Sequence, residues 1–376
     1  MTNGTPLGIG LIGCGGFGEF CLDAFSAMDD VRVAAVADVY TPAADRLGAK
    51  FGVPAFGDPA ELIARDDVGL VHIATPPASH HELALAAIRA GKHVLCEKPL
   101  ATSVADADEI VAAAAAAGVI CPVNFVLRYN AVTEAVKAVI DSAALGRVLS
   151  ARLTNCASDS KLPAEHWFWD KAVSGGIFIE HAVHFFDLYA YWFGPGEVTA
   201  AHAEHRGGAA REIEDRVACT VRHESGTLSS QYHGFDQAAP MDRQDHRLVC
   251  ELGDVFVEGW IPLALRIDAL VDDETQARLE ACCGGAAVEV VATYEGDAAR
   301  MQARGVERHV TRRIRLSYEP AADKQSVYAD SVRALLADQL AGARDAAHAR
   351  VVTEANGRAA VALAEAAARL AAGRAQ

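Results

Sequence analysis

The sequence predicts an α/β protein: a doubly wound parallel sheet at the N-terminus, then a second α/β domain with a large, mostly antiparallel open sheet. Three observations carry this. The turn Gly13-Cys14-Gly15-Gly16-Phe17-Gly18 lies between a strand-length apolar run and a short helical segment. Strand-like and helix-like segments then alternate up to about residue 123, the pattern of a parallel sheet. Beyond residue 125, strand-like runs follow one another across short connections, which favours antiparallel pairing.

Taken in order, Ile9-Gly10-Leu11-Ile12 reads as the first strand. Glu19 to Met28 reads as a helix, with Phe20, Leu22, Ala24, Phe25 and Ala27 at its apolar positions. The glycines between them match G-x-G-x-x-G in its strand–turn–helix context. Gly13 permits the tight turn, Gly15 lets the backbone approach a pyrophosphate, and Gly18 allows close helix–strand packing. The helix N-terminus that follows offers free N–H groups to phosphate. Arg32 to Ala37 is the next strand and ends at Asp38, the place for an acidic residue gripping an adenosine ribose diol. Helices follow over 43–50 and 59–65. Leu70 to Ala74 is a buried strand, His80 to Ala90 a helix stopped by Gly91, and His93 to Cys96 another strand. Ser103 caps a helix that runs to Ala117 and ends at Gly118, and Val119 to Val123 closes this half.

The second half opens with a helix over 131–141 and an alternating strand over 148–156. An aromatic loop covers 164–170, and 177–193 is long and apolar at helical spacing. Strand-like runs cover 217–223, 227–232, 247–252, 255–260, 288–294 and 310–317, and helices over 326–340 and 354–372 finish the chain. Residues 1–124 are therefore expected as a dinucleotide-binding domain and 125–376 as a substrate-binding and oligomerisation domain with closing helices.

Of the 376 residues 51% are apolar, enough for a sizeable core, and the formal net charge is −16. That charge, without a basic stretch, makes nucleic acid and anionic membranes poor partners. No apolar run approaches the ~18 residues of a membrane span. Met1-Thr2-Asn3-Gly4-Thr5-Pro6 lacks the regions of a signal peptide. Nine cysteines without metal-ligand spacing read as reduced thiols, so the expectation is a cytoplasmic protein with no metal.

Ligands of doubly wound sheets sit outside the carboxyl ends of the strands. Three stretches fall there: Ala74-Thr75-Pro76-Pro77-Ala78-Ser79-His80, Glu97-Lys98-Pro99, and Phe125 to Asn130. A fourth is Gly175 to Asp187, in which Glu180, His184 and Asp187 stand at i, i+4 and i+7 and share one helix face. A polar stripe in an apolar helix is either a satisfied structural network or the lining of a site, and spacing does not choose between them.

Gly13 to Gly18, Asp38, Ala74-Thr75-Pro76 with His80, Ala90 to Val94, Glu97-Lys98-Pro99 and Gly175 to Asp187 together resemble the Gfo/Idh/MocA family, as does the closing Thr353 to Ala359. The resemblance covers residues 8 to about 190 and implies a Rossmann domain, NAD or NADP, and hydride exchange at a hydroxyl-bearing carbon of a sugar, inositol or polyol. It implies that Gly13, Gly15, Gly16, Phe17, Gly18, Asp38, Thr75, Pro76, His80, Glu97 and Lys98 hold the cofactor. Lys98, Glu180 and His184 become the catalytic set, and Arg128 a substrate residue. Glu180 stands where the family has aspartate, Pro77 where it has asparagine, and His181 where a small residue is usual.

Oxidising a secondary alcohol releases a proton, and histidine, with an ordinary pKa of about 6.5, is matched to take it near neutrality. Lys98 would stabilise the developing alkoxide. Glu180 would orient His184 or bind a substrate hydroxyl. Trp167, Phe168, Trp169 and Asp159 either shape a sugar pocket or pack in the core. Asp38 favours NAD over NADP, and Arg46, the nearest cation, is placed too far along the following helix to offset it. Val255 to Trp260 is apolar without clean alternation, which suggests a covered outer sheet face and a homo-oligomer, and the resemblance implies a homodimer or homotetramer. The alternative function is an NAD-dependent, redox-neutral glycoside hydrolase or lyase, with Tyr232, His233, Asp236 and Asp242 as candidates for its extra base. A non-catalytic dinucleotide-binding regulator is the third reading.

Overall fold

A computed structural model describes residues 6–207, 212–320 and 323–373. The chain forms two compact units. One comprises 1–126, 164–187 and 328–366, the other 127–163, 188–327 and 367–376. The expected boundary after residue 124 lies two residues from the end of the first segment. The first unit also takes in two later stretches, and polar contacts show why the last one belongs to it. Glu354 pairs with Arg350 (2.8 Å) and accepts the Cys121 N–H (2.8 Å), while Glu365 accepts the Val104 N–H (2.7 Å). Val352, Val361 and Ala364 are fully buried beside them.

In the first unit β1 (Leu7–Ile12), β2 (Val31–Ala37), β3 (Ala55–Phe56), β4 (Leu70–Ile73) and β5 (His93–Cys96) pair in parallel in the order β3-β2-β1-β4-β5. The order reverses between β1 and β4, which puts the ligand crevice at their carboxyl ends. Both strands are apolar and buried nearly throughout, as a sheet covered on both faces requires. Helix α1 (Gly16–Phe25) begins inside the glycine turn, three residues before the expected start, and α2 spans Thr41–Phe51. Ser103 accepts the Asp106 N–H and Gly118 ends that helix in the left-handed conformation, as expected. The closing stretch 119–123 forms only an isolated bridge, Cys96 to Val123, because Pro122 has no N–H to continue a ladder.

In the second unit β6 (Val148–Ser158), β7 (Gly196–Gly207), β8 (Glu212–His223), β9 (Leu228–Gln237), β10 (Arg243–Cys250), β11 (Gly253–Glu258), β12 (Leu265–Val271) and β13 (Ala287–Thr293) belong to one sheet. A separate hairpin is made by β14 (Arg300–Ala303) and β15 (Val306–His309), and β16 (Arg312–Tyr318) completes the large sheet. Its order is β13-β16-β12-β11-β10-β6-β9-β8-β7, antiparallel except for β6 with β9. One face is covered: along β10, Gln244, His246, Leu248 and Cys250 are buried while Arg243 and Arg247 are exposed. The apolar pattern of 255–260 has a local explanation. Val255 and Val257 face the core, and the Phe256 ring on the other face lies beneath the guanidinium groups of Arg266 (4.1 Å) and Arg247 (5.3 Å).

Candidate active site

The glycine turn has the geometry its spacing predicts. Gly13 has φ 98°, and a Cβ there would stand 2.4 Å from the Ala74 carbonyl oxygen; one on Gly18 would stand 2.4 Å from the Gly13 oxygen. At Gly15 and Gly16 a Cβ would meet only open space. That opening beside the N-terminus of α1 fits a pyrophosphate. Asp38 is fixed by two backbone donors, the Cys14 N–H on Oδ2 (2.7 Å) and the Tyr40 N–H on Oδ1 (2.8 Å). Burial, helped by Asp38, pushes the Cys14 thiol up to about 12, so it is an inert part of the turn. Phe17 packs against Phe20 and Tyr328. Arg46 differs from expectation. Its guanidinium reaches back from the second turn of α2 to Glu19 on α1 (2.7 Å) and to the Cys14 carbonyl (3.4 Å), so it stands at the turn and not away from it.

After β4, Thr75 accepts the Ser79 hydroxyl (2.7 Å) and Pro76 is exposed. His80 is fully buried, with Nε2 on the Thr75 carbonyl (2.8 Å) and Nδ1 on that of Pro99 (2.7 Å). It ties the loop after β4 to the loop after β5, and burial lowers its pKa against the pull of the two carbonyls. After β5, Lys98 Nζ donates to the Glu180 carbonyl (2.9 Å) and forms an ion pair with its carboxylate. Glu180 lies in a π-helical turn, Phe178–Ala182, which passes into the helix Val183–Phe193. The expected continuous α-helix is thus widened at the acidic residue, a feature that often accompanies function. Glu180, His184 and Asp187 are all buried, and His181, half-exposed, packs its ring near Phe185.

The remaining candidates have separate settings. Trp169 is buried edge-on to Phe168 (4.8 Å), whereas Trp167 is half-exposed. Arg128 belongs to the second unit, where its guanidinium lies over Tyr191 (5.0 Å). Asp159 pairs with Arg206. His233 lies on the covered face of β9, Tyr232 and Asp236 lie on the other, and Asp242 is in an exposed loop.

Residues 7–125 match the oxidoreductase family with an NAD-binding Rossmann fold, and residues 133–255 match the Gfo/Idh/MocA C-terminal domain. Inositol 2-dehydrogenase 2 of Saccharopolyspora erythraea is 32% identical over 277 residues, which cover 70% of this chain and 77% of that protein. This chain belongs to the Gfo/Idh/MocA family. Myo-inositol 2-dehydrogenase of Thermotoga maritima is 31% identical over 61% of this chain and 70% of its own length. 1,5-Anhydro-D-fructose reductase of Ensifer adhaerens is 37% identical over 46% of this chain, a match spanning 53% of the reductase. Levoglucosan dehydrogenase in complex with NADH and levoglucosan has the same fold, with TM-score 0.78 over 98% of each chain at 20% identity.

Sequence reasoning missed the residues behind the Glu97-Lys98-Pro99 motif of this Gfo/Idh/MocA chain. Glu97 accepts from Asn124 Nδ2 (2.7 Å) and contacts His72 Nε2 (3.1 Å), both fully buried. The Cys21 thiol lies within 4.8 Å of His72 and Glu97, and burial, reinforced by Glu97, keeps it protonated. The group reads as a hydrogen-bond network that holds Glu97 in place. One signal was available: His72 is the single polar residue of an otherwise apolar strand.

Proposed function

We propose that this protein is an NAD-dependent dehydrogenase that interconverts a secondary alcohol and ketone of a sugar, inositol or related polyol. The observation that carries the reading is the Lys98–Glu180 ion pair at the end of β5, with His184 one turn beyond Glu180. The curated names of the inositol dehydrogenase relatives support the substrate class.

Bound at the glycine turn, NAD would supply the hydride acceptor. Gly15 and Gly16 leave room for its pyrophosphate, and Asp38 offers its remaining lone pairs to a ribose diol. Val39 and Tyr40, exposed beside Asp38, give apolar surface for an adenine ring. His184 takes the hydroxyl proton on its imidazole, and Lys98 stabilises the oxygen as negative charge develops. Glu180, paired with Lys98, fixes the ammonium group in place. Asp38 disfavours NADP, since like charges about 4 Å apart repel by about 4 kcal/mol at an effective dielectric near 20.

Among the described residues no helix is long and apolar enough to cross a membrane. All nine cysteines are free, which supports a cytoplasmic setting. A homodimer or homotetramer is proposed from the family resemblance; the ion pairs on the open sheet face, Arg152 with Asp245 and Arg315 with Asp268 and Glu289, are satisfied within one chain. Light scattering at micromolar concentration tests this, and a monomer mass would refute it.

The deciding experiment is a screen of inositols, sugars and glycosides with excess NAD, following reduced nicotinamide. Accumulation in step with ketone supports the dehydrogenase. Catalytic aglycone release with flat absorbance would instead establish the redox-neutral glycosidase.

A further inference from the structure

We infer that Arg46 is a latent ligand for the 2′-phosphate of NADP, and that Asp38 is the main group that keeps it out of use. The inference rests on the dinucleotide reading of the glycine turn. Cys14 links the two groups: its N–H donates to Asp38 (2.7 Å), and its carbonyl accepts from Arg46 (3.4 Å). The acid that grips a ribose diol and the nearest guanidinium therefore stand at opposite ends of one residue. A phosphate on the 2′-oxygen of that ribose would lie within the span between them. Guanidinium matches phosphate with two parallel hydrogen bonds.

The ion pairs around Arg46 make it easy to recruit. Its partner is Glu19 (2.7 Å), and its side chain is 52% exposed, so the pair is weakly held in water. Glu19 also binds Lys50 (2.9 Å), which in turn binds Asp23 (2.7 Å). Glu19 keeps a cation when Arg46 leaves, and no carboxylate is stranded. Asp38 has no such freedom, because two backbone N–H groups hold its carboxylate toward the ribose position. Selectivity against the phosphate thus rests chiefly on one fixed anion, with an exposed cation already bound to the same Cys14 backbone.

The test measures binding, not turnover. Affinities for NAD, NADP and adenosine 2′,5′-bisphosphate are determined by calorimetry on wild type, Asp38→Ser, Asp38→Ser/Arg46→Ala and Asp38→Ser/Glu19→Gln, with thermal melts to verify folding. Asp38→Ser should raise the NADP-to-NAD affinity ratio by at least about tenfold, the scale of one good charged contact. Adding Arg46→Ala should remove that gain, and adding Glu19→Gln should enlarge it. The bisphosphate, which carries no nicotinamide, should follow NADP. The inference is overturned if Arg46→Ala leaves the NADP affinity of Asp38→Ser unchanged, or weakens NAD and NADP by the same factor. If wild type binds NAD but Asp38→Ser gains nothing, this inference alone falls. If wild type binds neither dinucleotide, the cofactor reading falls and takes it along.

Discussion

The protein meets the burial of polar groups in two ways, one illustrated in each unit. In the first, ionisable side chains that are buried or half-buried are given partners. Lys98 is paired with Glu180, Glu97 is held by Asn124 and His72, and Glu354 is held by Arg350. In the second, His233 and His246 sit beneath the sheet and surrender their charge, with burial driving both imidazoles down to about 3. His246 uses its ring as a neutral partner for the Tyr189 hydroxyl (3.2 Å) and the Gln244 amide (3.1 Å). Desolvation penalises a buried ion unless an opposite charge or several hydrogen bonds replace its water. The lesson is that burial here is met either by pairing, as at Lys98 and Glu180, or by favouring the neutral form, as at His80, His233 and His246.

Mutation and pH can break or sharpen this contrast. The largest effect is expected at the buried or half-buried side chains of the first unit. His184→Ala and Lys98→Ala should each lower turnover at least ~100-fold while dinucleotide binding persists. Glu180→Gln should be milder if its carboxylate serves mainly to hold Lys98. Near-normal turnover in His184→Ala would move the proton role elsewhere.

The neutral histidines of the second unit should show themselves in acid. Their folded pKa of about 3 lies below the ordinary 6.5, so the unfolded chain binds more protons between those values. Their contribution is complete above about pH 6.5 and is lost progressively as pH falls toward 3, costing roughly 2 kcal/mol per imidazole by pH 5. Urea unfolding at about pH 7.5 and 5 would measure this. His246→Gln should flatten the difference, and an unchanged pH dependence would argue against a neutral buried imidazole.

A smaller loss is expected behind the Lys98 loop. His72→Leu leaves the Glu97 carboxylate with one donor fewer, at a cost of about 1–3 kcal/mol in stability. If the network positions Glu97 for the cofactor, KM for NAD should rise more than kcat falls; a melting shift with unchanged kinetics would confine His72 to structure. The smallest effect belongs to the exposed sheet face of the second unit. Arg315→Ala, which removes exposed pairs to Asp268 and Glu289, should change stability by less than ~1 kcal/mol, as read from the denaturation midpoint.

The first unit was more legible than the second because its signals are local. Gly13 to Gly18, Asp38, the Ser103 cap and the Gly118 stop each act within one turn or one strand–helix junction, and each is found where its spacing places it. Within that unit the short strand β3 escaped notice, since two residues carry no periodicity. In the second unit β7 and β12 were not foreseen. Ala200, Ala201 and Ala203 give β7 little strand character, and β12 takes its pattern from partners distant in sequence. The extra turn at Glu180 was also invisible, because an α-helix and a π-helical insertion share the same apolar spacing over so short a run.

By itself, the sequence determined the glycine turn, Asp38 at the end of the second strand, and the parallel and antiparallel halves. Those features depend on residue type and on spacings of a few residues, which backbone geometry converts directly into structure. Only the tertiary structure decided that Lys98 is paired with Glu180, that His80 joins two loops, that His72 and Asn124 stand behind Glu97, and that Arg46 returns to the turn beside Asp38. Each of these joins side chains from different segments across the packing of strands and helices. Such contacts are set by the register and approach of whole elements, which no local pattern encodes.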